Sequence, residues 1–184
     1  HREQLDDLEL YMMRRNRDLA REAAASDESA RANYEELERE LVKRELEVLL
    51  SREERYPQDM RVKMEIAIRY MRFQRWSEAI PRLQKASRDS RLKAQALARL
   101  GMCFYKDGNL GLARRQPERA APELNFDRDP KLFKDAHYNL ARILEERGDT
   151  EKAEAHYGEV LVVDYDYRDA RERLEALQSG GKGD

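Results

Sequence analysis

Residues 100–120 read LGMCFYKDGNLGLARRQPERA. Within them, Leu100-Gly101-x-x-Phe104 is followed, across the turn signal Asp107-Gly108-Asn109, by Ala113-x-x-x-Pro117-x-x-Ala120. The same frame stands upstream as Ile66-Ala67-x-x-Tyr70 and Ala79-x-x-x-Leu83-x-x-Ala86. Downstream it is Leu140-Ala141-x-x-Leu144 and Ala153-x-x-x-Tyr157-x-x-Val160. Each time the small residue of the first segment precedes that of the second by 12 (67 to 79, 101 to 113, 141 to 153), and units are offset by 34 and then 40. Apolar positions three and four apart predict helices. The intervening Gln74-Arg75-Trp76, Asp107-Gly108-Asn109 and Arg147-Gly148-Asp149 predict the turns that close each helical hairpin.

The physical content of the frame is close packing. A Gly or Ala on each helix lets two backbones approach, and a bulky residue one turn away fills the adjoining space. Neither helix buries its face alone, so hairpins stack into a continuous core. The frame resembles the tetratricopeptide-repeat family, whose pattern is Trp-x₂-Leu-Gly-x₂-Tyr, then Ala-x₃-Phe, then Pro over 34 residues. The resemblance covers residues 60 to about 165. It implies an all-α fold, a helical-hairpin solenoid of three TPR-like repeats plus a C-terminal capping helix, with an N-terminal helical arm.

The chain departs from that pattern in places. Lys63, Leu97 and His137 stand where the family often has Trp, and Pro117 stands where a large apolar residue is usual. A proline inside a helix removes a hydrogen bond and clashes with the preceding turn, so the second helix of the middle unit is expected to kink or end near Gln116. Asp129-Pro130 restarts the chain, with Asp as N-cap and Pro at the first helical position.

The resemblance also implies a concave groove lined by the first helix of each hairpin. Its residues would be Arg61, Met64, Ile68, Met71 and Arg72, then Gln95, Arg99, Met102, Tyr105 and Lys106, then Asp135, Tyr138, Asn139, Arg142 and Glu145. Met adapts its shape, and Tyr and Arg anchor interfaces, so the set suits peptide capture. Family members that bind chaperone tails use a clamp of Lys and Asn. Met64, Ile68 and Asp135 stand where that clamp is needed, and Arg99 with Asn139 does not make one, which weighs against an acidic C-terminal tail bound by that route.

Ahead of the repeats, residues 1–58 read as an arm of two helices. The first, about 2–25, has a seam of Leu5, Leu8, Met12 and Leu19 interrupted by Arg15. The second, about 30–55, has an apolar stripe that widens toward its C-terminal half and ends at Tyr56-Pro57. Residues 59–178 read as the repeat domain. Its last helix carries Ala170, Leu174 and Leu177, with Asp164 or Asp166 as its cap. Residues 179–184 read as a disordered Gly-rich tail. The chain begins with His1 rather than Met and reads as a piece of a longer protein from which a targeting segment could have been cut.

Composition agrees with helices. Val (6), Ile (4) and Thr (1) are scarce in 184 residues, which disfavours sheet folds. Residues 1–59 carry 11 basic and 17 acidic side chains, 60–122 carry 15 and 5, and 123–184 carry 10 and 16. The basic middle either meets the chain's own acidic flanks or steers an acidic partner toward it. A net charge of −2 weighs against nucleic acid. No apolar run is long enough to span a membrane.

No phosphate loop, dinucleotide fingerprint or nucleophile elbow occurs. One cysteine and three histidines exclude a Cys-rich or His-rich metal cluster. Cys103 reads as a packed residue, His137 and His156 as packing or solvent contacts, and Trp76 as an anchor at a helix junction. No enzyme activity, cofactor or metal is expected. The expected function is a protein–protein interaction scaffold or adaptor binding a peptide or protein partner in the groove. The alternative is an oligomerising structural module whose arm pairs with another subunit or fills its own groove. A single cysteine suits the cytoplasm without excluding an envelope location.

Overall fold

The computed structural model describes residues 2–180, and among them all regular structure is helical. The chain divides into two compact units, His1–Phe73 and Gln74–Asp184. The division falls between the two helices of the first repeat, whereas the repeat frame itself begins at Met60.

The first unit contains α1 (Arg2–Ser26), a 3₁₀ turn (Glu28–Ala30), α2 (Arg31–Arg55) and α3 (Met60–Arg72). Asp27 and Asp59 cap the 3₁₀ turn and α3 by accepting backbone N–H groups. Helices α1 and α2 run antiparallel over a thin apolar contact of Leu10 and Met13 with Leu41 and Val48. A ladder of charges fixes their register. Arg14 pairs with Glu45 at 2.7 Å, Arg17 with Glu38 at 2.6 Å, Arg44 with Asp6 at 2.9 Å and Arg55 with Glu3 at 2.8 Å. Helix α2 continues the ladder onto α3 through Arg69 and Glu45, Arg72 and Glu38, and Lys63 and Glu53. Helix α2 buries Leu41 and Val42 just before its midpoint and Glu45, Leu46 and Val48 just after it, so its burial shifts away from its N-terminal turns as the widening stripe predicts.

The second unit contains α4 (Trp76–Ala86), α5 (Lys93–Lys106), α6 (Leu110–Ala120), a 3₁₀ turn (Ala121–Glu123), α7 (Pro130–Glu146), α8 (Thr150–Val163) and α9 (Ala170–Gly180). Helix α5 packs on α6 and α7 on α8, and α5 also meets α7. This is an all-α array of helical hairpins. Every framing position read from the sequence is buried, including Leu100, Gly101, Phe104, Ala113, Pro117 and Ala120 in one hairpin and Leu140, Ala141, Leu144, Ala153, Tyr157 and Val160 in the next.

The turns explain why the hairpins close. Gly108 and Gly148 adopt φ of 80° and 77°, and Gln74 takes the same left-handed position at 58°. In both Gly turns the N–H three residues beyond the helix bonds back to its last buried turn, Asn109 to the Phe104 carbonyl at 2.8 Å and Asp149 to that of Leu144 at 2.9 Å. Asn109 and Asp129 then cap α6 and α7 through Leu112 N–H and Leu132 N–H.

Three local expectations differ. Helix α6 does not end near Gln116; it runs through Pro117 to Ala120. The buried proline ring lies where a Cβ of Gly101 would stand, so the close approach of α5 offsets one lost hydrogen bond. Neither Asp164 nor Asp166 caps α9. Asp164 accepts Lys134 Nζ at 2.7 Å, and α9 starts after Asp169. Helix α9 reaches Gly180, with the Ser179 hydroxyl donating to the Glu175 carbonyl at 2.7 Å, so two residues of the expected tail are helical. The rest of that tail, 181–184, lies outside the described residues.

Candidate interaction surface

Within the second unit, α5 and α7 lie side by side and present the residues that the sequence assigns to a groove. On α5, Gln95, Arg99, Met102 and Tyr105 are half-buried and Lys106 is exposed. Arg99 reaches Asp129, the N-cap of α7, at 3.4 Å. On α7, Asn139, Arg142 and Glu145 are half-buried.

Arg142 is held weakly. Its Nη1 stands 3.5 Å from the Tyr138 hydroxyl and its Nη2 3.7 Å from Glu146, while its Nε is buried with no hydrogen-bond partner. The Tyr138 hydroxyl raises the guanidinium's pKa most, Tyr105 across from α5 adds to this, and Arg173 opposes it. Arg142 is thus a fixed cation between two tyrosines with donor capacity left over.

The remaining α7 residues serve the chain itself. Asp135 is buried and binds Lys131 at 2.8 Å, Arg168 at 2.7 Å and the Tyr167 hydroxyl. Burial works to raise its carboxyl, but Lys131 and Tyr167 outweigh this and hold it below the usual range. Tyr138 is buried, donates to Asp169 and lies under the Arg168 guanidinium. Glu145 accepts from the Tyr157 hydroxyl at 2.6 Å and from Arg173 at 3.1 Å. The segment from Asp164 to Arg173 therefore contacts α7 along most of its length, from Lys134 to Glu145. Lys131 stands one turn before Asp135 on α7 and its pairing is legible from spacing, whereas no spacing ties Arg168 or Arg173 to α7.

In the first unit, Met64 is buried, Ile68 and Met71 are half-buried, and Arg61 and Arg72 are exposed. Arg72 is engaged by Glu38 of α2. Met64, Asp135 and Tyr138 thus offer no free surface, because their own chain packs over them.

Two features that the sequence assigns to packing also meet in the second unit. His137 Nδ1 lies 3.1 Å from His156 Nδ1, beside a cavity of about 390 Å³ lined by Leu124, Phe133 and Glu159 among others. Burial, then the neighbouring imidazole, pushes His137 down to about 4, and burial also lowers His156, so the pair is neutral at neutral pH. Cys103 is fully buried, and burial pushes its thiol up to about 12, so it is no nucleophile. Among the described residues no three His, Cys, Asp or Glu side chains converge as a metal site, and no helix is long and apolar enough to cross a membrane.

Comparison with known proteins places the fold. Residues 64–132 match the family model for the tetratricopeptide repeat. No curated protein matches the chain in sequence. A crystal structure of MamA is similar at 16% identity and a TM-score of 0.64, over 80% of this chain and 83% of that one. A thermophilic TPR protein of Thermus thermophilus matches at 18% identity and 0.56, over 96% of each chain. The first TPR of Spaghetti (RPAP3), bound to HSP90 peptide SRMEEVD, matches at 15% and 0.54, over 67% of this chain and 93% of that one.

Proposed function

We propose that this chain, whose residues 64–132 match the tetratricopeptide-repeat model, is a non-catalytic scaffold or adaptor that receives an acidic peptide or protein segment on the face shared by α5 and α7. The observation that carries the reading is Arg142, a half-buried guanidinium with a buried, unpartnered Nε and only weak contacts at its other nitrogens. A carboxylate or carbonyl brought to its Nη nitrogens, whose own contacts stand at 3.5 and 3.7 Å, gains charge-assisted hydrogen bonds that the free chain does not make. Met102 and Tyr105 supply apolar contact alongside, and Lys106 adds an exposed cation at the end of α5.

The residues of α7 already engaged on either side of Arg142 narrow the site. Asp135, Tyr138 and Glu145 hold the C-terminal segment, so the contact set reduces to Gln95, Arg99, Met102, Tyr105, Lys106, Asn139 and Arg142. A Lys-and-Asn clamp for a chain-terminal carboxylate is missing from it, so the reading favours an internal acidic segment over the end of a chain.

The test is an array of twelve-residue peptides graded by charge, probed with the wild-type chain, with Arg142→Gln and with Lys106→Glu. Binding is expected to rise with acidic content and to fall about tenfold, ~1.4 kcal/mol, for each variant. Equal binding of acidic and basic peptides, or variants that bind like wild type, contradicts the reading.

A further inference from the structure

The seam read from the sequence of α1 does not face α2. Helix α1 turns Asp6, Leu10, Met13, Arg17 and Ala20 toward α2. Leu5, Leu8, Tyr11, Met12 and Leu19 lie on the opposite side, 65%, 59%, 59%, 47% and 57% exposed. At 100° per residue these five positions share an arc about 120° wide, and Arg15 is the only charge on it between positions 4 and 19. Positions 5, 8, 12, 15 and 19 follow the alternating spacing of three and four that packs one helix on another. Scattered exposed apolar residues need no explanation, but a contiguous stripe of large ones does.

Charge identifies the occupant. Glu3, Asp6, Asp7, Arg14 and Arg17 are already paired with α2, which leaves Arg15 as the charge on the outward face between positions 4 and 19, with Glu9 beside that face. A second α1 laid antiparallel sets each copy's Arg15 against the other copy's Glu9 and opposes the two helix dipoles favourably. With Met12 at the centre, Leu5 of one copy meets Leu19 of the other. Arg15, which makes no ion pair among the described residues, then comes beside Glu9 of the other copy, itself half-exposed in its pair with Arg44. Five large side chains on each of two copies remove on the order of 1,000 Å² from water, the area at which specific interfaces begin.

We propose that the outward face of α1 is a homodimer interface in which two copies of this chain pair α1 antiparallel about Met12. The interface is independent of the α5–α7 face, so peptide binding and self-association fail separately. Sedimentation velocity on the full chain tests it at about 50 μM, a concentration at which an interface of micromolar Kd is largely occupied. The wild type is expected to sediment as a dimer, and Leu8→Asp with Met12→Asp as a monomer of unchanged helicity, since both side chains are exposed on the single chain. Register is read by oxidative cross-linking, for which buried Cys103 leaves the background low. Met12→Cys is expected to cross-link with itself, and Leu5→Cys with Leu19→Cys, but not Leu5→Cys with itself. A monomeric wild type, which leaves the stripe to another segment or partner, overturns the proposal. So does a dimer that survives the double aspartate variant, or one in which Leu5→Cys links to its own copy.

Discussion

Gly101→Ala is expected to destabilise the second unit by about 3 kcal/mol, at the upper end of the cost of overpacking a core. A Cβ at position 101 would lie 2.2 Å from Pro117 Cγ, 2.4 Å from Pro117 Cδ and 3.0 Å from the Ala113 carbonyl oxygen. A proline ring has no rotamer that swings it aside, so α5 and α6 must separate. Exposed glycine in a helix gains about 1 kcal/mol on replacement by alanine, so the clash must first overcome that gain, and the observed sign is diagnostic. Pro117→Ala on the same background is expected to recover most of the loss, because it removes the atoms that clash, and the two changes should be strongly non-additive. Urea unfolding followed by circular dichroism measures both. A Gly101→Ala variant as stable as wild type means that the two helices are not in this contact.

Glu53→Ala is expected to cost the first unit about 3–5 kcal/mol, the range for stripping a partner from a buried charge. Lys63 is buried, and its ammonium lies 3.2 Å from Glu53. Without Glu53 the Lys63 ammonium is left in a poorly solvated site without that carboxylate, which lowers stability. Lys63→Met is expected to be neutral or stabilising, because the long apolar stem is kept and no charge is buried. The double variant should match Lys63→Met rather than Glu53→Ala. A loss below about 1 kcal/mol for Glu53→Ala would place the pair with exposed ion pairs.

These two sites also mark where sequence reasoning succeeds and stops. The frame around Gly101 is legible because small-against-bulky packing repeats at a fixed spacing of 12, and its positions are buried in both complete hairpins of the second unit. The left-handed turns are legible at Gly108 and Gly148, where only the residue type is needed, and the position equivalent to them holds Gln74. Lys63 stands out as a departure from the family pattern, but nothing near it in sequence names Glu53, ten residues earlier on another helix, as its partner. Pro117 carries a local penalty that the sequence shows, and the missing Cβ of Gly101 that accommodates its ring is a tertiary effect.

The arm shows a different limit. Helix α1 has apolar residues on two faces, and periodicity alone cannot say which face meets α2. The choice follows the charges, since Asp6, Arg14 and Arg17 find Arg44, Glu45 and Glu38 only when Leu10 and Met13 turn inward. Likewise, Asp135 and Tyr138 lie on a groove side of α7 by register, and only the path of Asp164–Arg173 shows that both are taken.

Site-specific photo-cross-linking tests the functional account most directly. A photoreactive residue is placed singly at Met102, Tyr105 or Lys106 on α5, and at the exposed Arg115 or Arg119 on α6, with an acidic peptide selected from the charge-graded array as the partner. Strong adducts from the three α5 positions and none above background from α6 are the predicted result; adducts of equal or greater yield from Arg115 and Arg119 would contradict it.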